Sequence, residues 1–185
     1  MTEEQPNLLL LIGIPGSGKS SWLAGLDQKH QDNGHYVLVD GIPYTIVCPD
    51  AIRQSFSNIS DQSQNIIVWQ VAKSLTYDRL ERGVNVILDA TNVNTSRRRE
   101  FLQGLPPCQK IVKLFSTHPE EAYRRIKKDL DGNKQRSKVP EEAVYKMYGE
   151  LLYTLKVIGS EGFEFLSHSG KIIEKPSFFD KRGPI

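Results

Sequence analysis

Residues 13–20 combine glycines, a lysine and a hydroxyl group in the order G-x-x-x-x-G-K-[ST], directly after an apolar run. Glycines let a backbone turn close around a polyphosphate, and the helix that follows presents unpaired N–H groups. In such a loop the lysine contacts the β- and γ-phosphates and the hydroxyl binds Mg²⁺. The motif predicts a site for ATP and Mg²⁺ with these donor-binding residues: Gly13, Pro15, Gly16, Ser17, Gly18, Lys19, Ser20 and Ser21.

Two carboxylates follow apolar runs that have the composition of buried strands. Asp50 comes shortly after residues 46–48, and Asp89 comes directly after residues 86–88. Ligands of open α/β sheets bind at the carboxyl ends of the strands, so Asp50 could accept the proton of an attacking hydroxyl there. The alternative is that Asp50 caps a helix that begins at Ala51. Asp89 is predicted to hold Mg²⁺ together with Ser20.

Further polar residues near these carboxylates are candidates for binding an acceptor. Arg53 lies one helical turn after Asp50 and could grip an anion on the acceptor, or could simply be exposed. Thr91 and Asn92 follow Asp89 and are predicted to point into the same cleft. Arg98 lies among three consecutive arginines on the next helix, of which one or more could be ordinary solvated charge.

Apolar runs alternate with helical patterns along most of the chain. This alternation is typical of a parallel sheet with crossover helices, so the predicted fold class is α/β, of the P-loop NTPase type. Residues 40–47 interrupt this alternation, because they contain Gly41 and Pro43. They predict either two strands or one strand with an insertion. Residues 163–165 and 171–174 could form a small hairpin. Strands are predicted at 8–12, 36–39, 84–88 and 111–115, and helices at 19–29, 49–56, 62–82, 95–103, 119–130 and 140–158.

Length and composition indicate one soluble domain. A chain of 185 residues suits a single domain, here residues 1–175 with a lid near 131–139 and a tail at 176–185. Two cysteines provide neither a disulfide framework nor a metal-ligand spacing, and the first residues resemble neither a signal peptide nor a membrane span. We therefore expect a cytoplasmic protein, in the host cytoplasm if it is viral, with no membrane partner.

Positive charge is concentrated in one part of the chain. The formal net charge is +2, but residues 97–138 carry 12 Lys and Arg against 5 Asp and Glu. Such a basic region suits nucleic acid, or ATP itself, as a partner. The alternative is that these charges lie on solvated helix faces.

In combination, these motifs resemble the kinase domain of the phage polynucleotide 5′-hydroxyl kinase family. Their order and rough spacing match the family across residues 8–155. Related P-loop kinases of small molecules share the first three motifs, so the resemblance does not identify the acceptor. The motifs are the loop at 13–20, Asp50 with Arg53, the segment 89–92, and Arg136 with Val139 and Pro140 before a helix.

The resemblance implies a role for each matching residue. Lys19 binds donor phosphates, Asp50 is the general base, and Arg53 and Thr91 hold a phosphate of the acceptor. A lid arginine that stabilises the transferring phosphoryl group matches Arg136 best. Because residues 127–132 are longer than the usual lid, Lys134 or Arg125 could take this role instead.

The predicted function is an ATP-dependent kinase that transfers the γ-phosphate to a hydroxyl of a nucleic acid, first of all a 5′-hydroxyl of DNA or RNA. One alternative acceptor is the hydroxymethyl group of a modified base such as 5-hydroxymethyluracil. Others are a nucleoside or another small molecule. A non-enzymatic ATP switch would not need Asp50 and a lid cation together. The insertion at residues 40–45 could reshape the acceptor pocket.

Overall fold

The computed structural model of the chain describes residues 5–31, 34–56, 63–132, 138–167 and 170–173. Its helices and strands, in chain order, are β1 Asn7–Ile12, α1 Lys19–Ala24, β2 Asp27–Gln31, β3 Gly34–Val39, β4 Ile42–Val47, α2 Pro49–Phe56, α3 Asn65–Glu81, β5 Val86–Leu88, α4 Thr95–Leu102, β6 Gln109–Leu114, α5 Pro119–Asp131, α6 Glu141–Val157, a 3₁₀ turn Ile158–Ser160, β7 Glu164–Leu166 and β8 Ile172–Ile173.

These strands form one mixed sheet in the order β2-β3-β4-β5-β1-β6-β7-β8. The five strands from β4 to β7 are parallel, with β1 in the middle: Leu8 pairs with Val86 on one side and Lys110 on the other. The predicted α/β class is confirmed. Antiparallel strands extend this parallel centre at both edges.

Strand β1 is buried on both faces, as expected for a continuous apolar run in a parallel sheet. Leu8, Leu10 and Ile12 pack into the core under α3, α4, α5 and α6. Leu9 and Leu11 pack on the other face, against α1 and the hairpin of β3 and β4. Burying each leucine contributes about 1.5–3 kcal/mol. This burial holds the start of the glycine-rich loop at the carboxyl edge of the sheet.

The predicted helix at 19–29 is wrong beyond Ala24. Gly25 follows the last helical residue, and the chain then runs as β2, antiparallel to β3. The exposed edge of β3 offers β2 a ladder of backbone hydrogen bonds, and this tertiary pairing overrides the local helical pattern.

Residues 40–47 form the turn and the second strand, β4, of a hairpin rather than an insertion in one strand. Asp40 and Gly41 make the turn, with φ of 51° and 80°, the left-handed pair that a two-residue hairpin needs. This turn lies at the opposite end of β4 from Asp50. The expectation that residues 40–45 reshape the acceptor pocket is therefore not supported.

The other predicted elements occur within a few residues of their expected bounds. The small hairpin is present as β7 and β8, with Phe165 opposite Ile173. Most of the predicted lid, 133–137, and the tail at 176–185 lie outside the described residues, so the domain bounds stay a prediction. None of the described helices has the length and apolar character to cross a membrane.

Candidate active site

The glycine-rich loop is held in place by the segments on both sides of it. The Gly13 N–H donates to the carbonyl of Thr91 over 3.0 Å, which ties the loop to the chain after β5. The Thr117 hydroxyl donates to the carbonyl of Ser17 over 3.1 Å, which ties it to the chain after β6. Ser17 is buried, whereas Ser20 and Ser21 are exposed on α1. The loop is thus shaped before any ligand binds.

Lys19 folds back over this loop. Its Nζ donates to the carbonyl of Gly13 over 2.7 Å and to that of Ile14 over 3.0 Å. The ammonium group therefore already lies against the turn that is predicted to surround the phosphates. Phosphate oxygens could replace these carbonyls as acceptors with only a short movement of the side chain.

The backbone at Gly16 leaves no room for a side chain. Its φ is +79°, and a Cβ added there would lie 2.3 Å from the carbonyl oxygen of Ala122 on α5. We expect Gly16→Ala to lower the free energy of unfolding by about 2–4 kcal/mol, because it combines a left-handed backbone with a backbone clash. Thermal and urea unfolding would measure this.

Gly41 is the matched control for that substitution. Its φ of +80° is nearly identical, but nothing lies within 4 Å of an added Cβ. Gly41→Ala should therefore lower the free energy of unfolding by only about 1 kcal/mol, the conformational part alone. Equal losses for the two variants would show that packing between the loop and α5 is not the reason for glycine at position 16.

Asp50 and Asp89 lie at the same edge of the sheet. The Asp89 N–H donates to the carbonyl of Val47 over 2.9 Å, so the two strand ends are joined just before both carboxylates. Burial raises the pKa of Asp89, nearby Lys19 lowers it and Asp50 raises it. These effects show that the three charged groups of the predicted site interact. Asp50 lies within the first turn of α2, which begins at Pro49, and its side chain is 59% exposed.

Cys48 lies beside these two carboxylates, a position that we did not recognise from the sequence. Burial, Asp89 and Asp50 raise the pKa of the Cys48 thiol to about 11. The thiol is therefore neutral at physiological pH and adds no third negative charge. The position of Cys48 in the sequence, between β4 and Asp50, could have indicated that it lies at this site.

Arg53 is buried, so the alternative of an exposed arginine is wrong. Its side chain is 5% exposed, forms an ion pair with Asp50, and donates from Nη2 to Oδ1 of Asn65 over 2.8 Å. No hydrogen-bond partner for the buried Nε is present in the described part of the chain. A desolvated guanidinium thus lies beside Asp50, and its role in holding an anionic acceptor stays a prediction. The sequence did not reveal Asn65, the first residue of α3, as a partner of Arg53, because the two are 12 residues apart in the chain.

Asn92 connects two strands instead of pointing at an acceptor. Its backbone has a φ of 49°, and its Nδ2 donates to the carbonyl of Leu11 over 2.9 Å. The amide is therefore used inside the fold, which does not support the predicted acceptor contact. Thr91 is half-buried in the same loop, and its role stays a prediction.

Arg98 is also a structural residue in this arrangement. Its guanidinium is fully buried, pairs with Glu161 over 2.8 Å, and donates to the carbonyl of Asn92 over 2.8 Å and to the Thr154 hydroxyl over 3.2 Å. With these contacts it supports the loop after β5. They do not support the predicted acceptor role of Arg98, which stays a prediction. Glu161 and Thr154 come too late in the chain for sequence spacing to reveal them.

Two neighbouring arginines test this assignment because both pair with Glu161. The Arg98 side chain is fully buried, whereas that of Arg99 is 59% exposed. We expect Arg98→Leu to lower the free energy of unfolding by about 3–5 kcal/mol, since it leaves Glu161 with one partner in a buried position. Arg99→Leu should lower it by less than about 1 kcal/mol, as for an exposed pair. Urea unfolding of both variants measures the difference, and similar losses would contradict the buried role.

Arg125 is the one lid candidate that the described residues include. It lies on α5, and a Cβ added to Gly18 would be 3.8 Å from its Nη1. Its Nε donates to Glu121 over 2.7 Å, and hydrogen bonds from Arg124 and Arg125 lower the pKa of Glu121 to about 2. A guanidinium therefore lies beside the phosphate-binding loop. Lys134 and Arg136 lie outside the described residues.

The residues predicted to bind Mg²⁺ fit that ion chemically. Ser20 and Asp89 offer oxygen ligands, and Mg²⁺ is commonly held by one or two protein oxygens together with phosphates and water. In the described part of the chain no cluster of three or more His, Cys, Asp or Glu forms a self-contained metal site. Magnesium at Ser20 and Asp89 therefore stays a prediction that depends on a bound nucleotide.

Comparison with known proteins decides the family. Residues 8–151 match the model of an AAA domain family, AAA_33. The chain belongs to this family. In the RNA repair complex of Pnkp1, Rnl and Hen1, a solved chain is 25% identical and superposes with a TM-score of 0.62, covering 83% of this chain and 46% of that one. The predicted resemblance to polynucleotide kinases and the predicted P-loop NTPase fold are confirmed.

Two curated relatives extend the comparison. L-seryl-tRNA(Sec) kinase of Methanococcus maripaludis is 26% identical over 142 residues, which cover 76% of this chain and 51% of that protein. Heterogeneous nuclear ribonucleoprotein U-like protein 2 of Mus musculus is 26% identical over 155 residues, which cover 79% of this chain and 20% of that protein. The chain spans about half of the first relative and a fifth of the second.

Proposed function

We propose that this AAA-family domain is an ATP-dependent kinase whose acceptor is a polynucleotide 5′-hydroxyl. The observation that carries the proposal is the pair of Asp50 and buried Arg53 at the sheet edge that also holds Lys19 and Asp89. A domain that only binds ATP needs the loop and Lys19. It does not need an exposed carboxylate paired with a desolvated guanidinium beside them.

In the proposed reaction, Asp50 accepts the proton of the acceptor hydroxyl. That oxygen forms a bond to the γ-phosphorus of ATP while the bond from this phosphorus to the bridging oxygen breaks, and ADP leaves. Phosphoryl transfer needs mainly alignment and neutralisation of charge. Arg53 orients Asp50 through their ion pair, and Lys19 neutralises the donor phosphates. Mg²⁺, bound at Ser20 and Asp89, would neutralise further charge on those phosphates.

Support for a nucleic acid acceptor comes from the relatives and from Arg53. One relative is named as a kinase of seryl-tRNA, and one similar solved chain belongs to the RNA repair complex of Pnkp1, Rnl and Hen1. The buried guanidinium of Arg53 suits an acceptor that carries a phosphate next to the reacting hydroxyl. A neutral small molecule would give this guanidinium no anion besides Asp50.

Transfer of label from [γ-³²P]ATP tests the proposal directly. The acceptors are DNA and RNA oligonucleotides with 5′-hydroxyl ends, the same oligonucleotides with blocked 5′ ends, blocked oligonucleotides with 5-hydroxymethyluracil, and a nucleoside panel. We expect label only in the oligonucleotides with free 5′-hydroxyls. Label in the hydroxymethyl base or in nucleosides would replace the proposed acceptor, and ATP binding without transfer to any acceptor would favour a switch.

A further inference from the structure

A cleft opens between the start of α4 and the middle of α6. Its volume is about 410 Å³, within the range of about 300–1,000 Å³ that small-molecule sites occupy. Val93 and Asn94 form one side of it and come directly after Thr91 and Asn92. The cleft therefore begins where the predicted acceptor loop ends.

The open space in this cleft is created by a glycine on α6. Nothing lies within 4 Å of a Cβ added to Gly149, although alanine there would favour the helix by up to about 1 kcal/mol. One turn later, the aromatic ring of Tyr153 is 57% exposed. One turn earlier, Lys146 is also exposed and lines the cleft. A flat aromatic surface and an ammonium group thus flank an empty position on the helix.

The remaining polar groups of the cleft favour a nucleotide over a simple anion. Glu150 lines the cleft and accepts a hydrogen bond from Nδ2 of Asn94 over 3.1 Å. A free phosphate would meet this carboxylate, whereas a nucleobase could donate an amino hydrogen to it. Ser96 adds an exposed hydroxyl at the same wall. The cleft offers a stacking surface, partners for a base edge and a cation for one phosphate.

We propose that the cleft around Gly149 binds a nucleotide of the acceptor strand beyond the one that is phosphorylated. The base would stack on Tyr153, and the following phosphate would pair with Lys146. This inference rests on the proposed function for its substrate class, and it adds that the enzyme selects a polynucleotide over a single nucleotide. It makes Tyr153, Lys146 and the absence of a side chain at Gly149 determinants of acceptor length.

Filling the cleft is the sharpest test. Gly149→Leu occupies the open space and also favours the helix. Gly149→Ala is the control, because it favours the helix but fills little of the cleft. The measurements are binding of a 3′-fluorescein-labelled single-stranded 12-mer, and kcat/KM for that 12-mer and for a nucleoside 3′-phosphate. Loss of one stacked base predicts roughly 5- to 100-fold weaker binding and lower kcat/KM for the 12-mer with Gly149→Leu, and the same from Tyr153→Ala. The nucleoside 3′-phosphate should react as with the unmodified enzyme.

The phosphate contact has its own signature. Lys146→Ala should weaken binding of the 12-mer and reduce the slope of log Kd against log salt concentration by about 0.7, the value for one phosphate of a single strand. Tyr153→Ala should leave this slope unchanged. Equal slopes for the unmodified enzyme and Lys146→Ala would contradict the ion pair.

The outcomes separate this inference from the proposed function. Phosphorylation of the 12-mer that is unaffected by Gly149→Leu and Lys146→Ala would overturn the inference and leave the kinase proposal intact. Binding of the 12-mer that Gly149→Leu weakens, without transfer to any nucleic acid, would support the cleft and overturn the kinase proposal. A protein that neither binds nor phosphorylates the 12-mer would overturn both.

Discussion

Asp50→Asn is expected to lower kcat for the hydroxyl acceptor by roughly 10²- to 10⁴-fold, the typical loss on removing a general base. The amide has nearly the same shape but cannot take the proton of the attacking hydroxyl. The proposed ATP site is the loop of residues 13–20, so the Kd of ATP should stay within about twofold. Steady-state kinetics and a nucleotide-binding titration measure the two quantities separately.

This substitution also neutralises the partner of buried Arg53, so stability needs its own control. Urea unfolding should show a lower free energy of unfolding for Asp50→Asn. The two kcat values are therefore compared without denaturant, at a temperature where both proteins are folded. Asp78→Asn removes a carboxylate from an exposed ion pair with Arg82 on α3, away from the site. It should change neither kcat nor Kd. A wild-type transfer rate for Asp50→Asn would exclude Asp50 as the base.

Removing the lid arginine is expected to have the largest effect. If Arg136 stabilises the transferring phosphoryl group, Arg136→Ala should lower kcat by roughly 10³- to 10⁵-fold, as for arginine fingers of comparable enzymes. Arg125 already lies beside the loop at Gly18. It would meet the phosphates in the ground state and in the transition state alike, so Arg125→Ala should mainly raise KM for ATP, by about 10-fold, with kcat nearly unchanged.

The split between kcat and KM assigns the two arginines. A large fall in kcat with Arg125→Ala, together with near-normal kinetics of Arg136→Ala, would transfer the lid role to Arg125. Arg124→Ala is the matched control, because Arg124 shares the Glu121 partner and its side chain is 67% exposed on α5. It should leave both constants unchanged.

Residues next to a strand end were the easiest to predict. Asp50 and Asp89 were assigned to one edge because parallel strands all deliver their carboxyl ends to the same side of the sheet. The structure joins these two strand ends through the Asp89 N–H and the Val47 carbonyl. The loop of residues 13–20 was predictable for a similar reason, since its glycines and its neighbours in the chain define it locally.

Residues on helices and in loops were harder to place. Three consecutive arginines on α4 look alike in the sequence, and only the packing of Glu161, 63 residues after Arg98, decides which one is buried. Asn92 follows a strand end, as a ligand-binding residue would, but its amide donates to the carbonyl of Leu11, 81 residues earlier. Residues 27–31 had a helical pattern, but pairing with β3 made them a strand.

The sequence by itself determined that this protein has an α/β fold with a phosphate-binding loop and two carboxylates at one sheet edge. The period of the hydrophobic pattern, the residue types in turns and the ends of strands are local properties, so they can be predicted directly from the sequence. The tertiary structure decided which polar groups face solvent and which are used inside the fold, because that depends on partners far along the chain. It buried Arg53 and Arg98, and it opened the cleft at Gly149 between helices that are not adjacent in sequence.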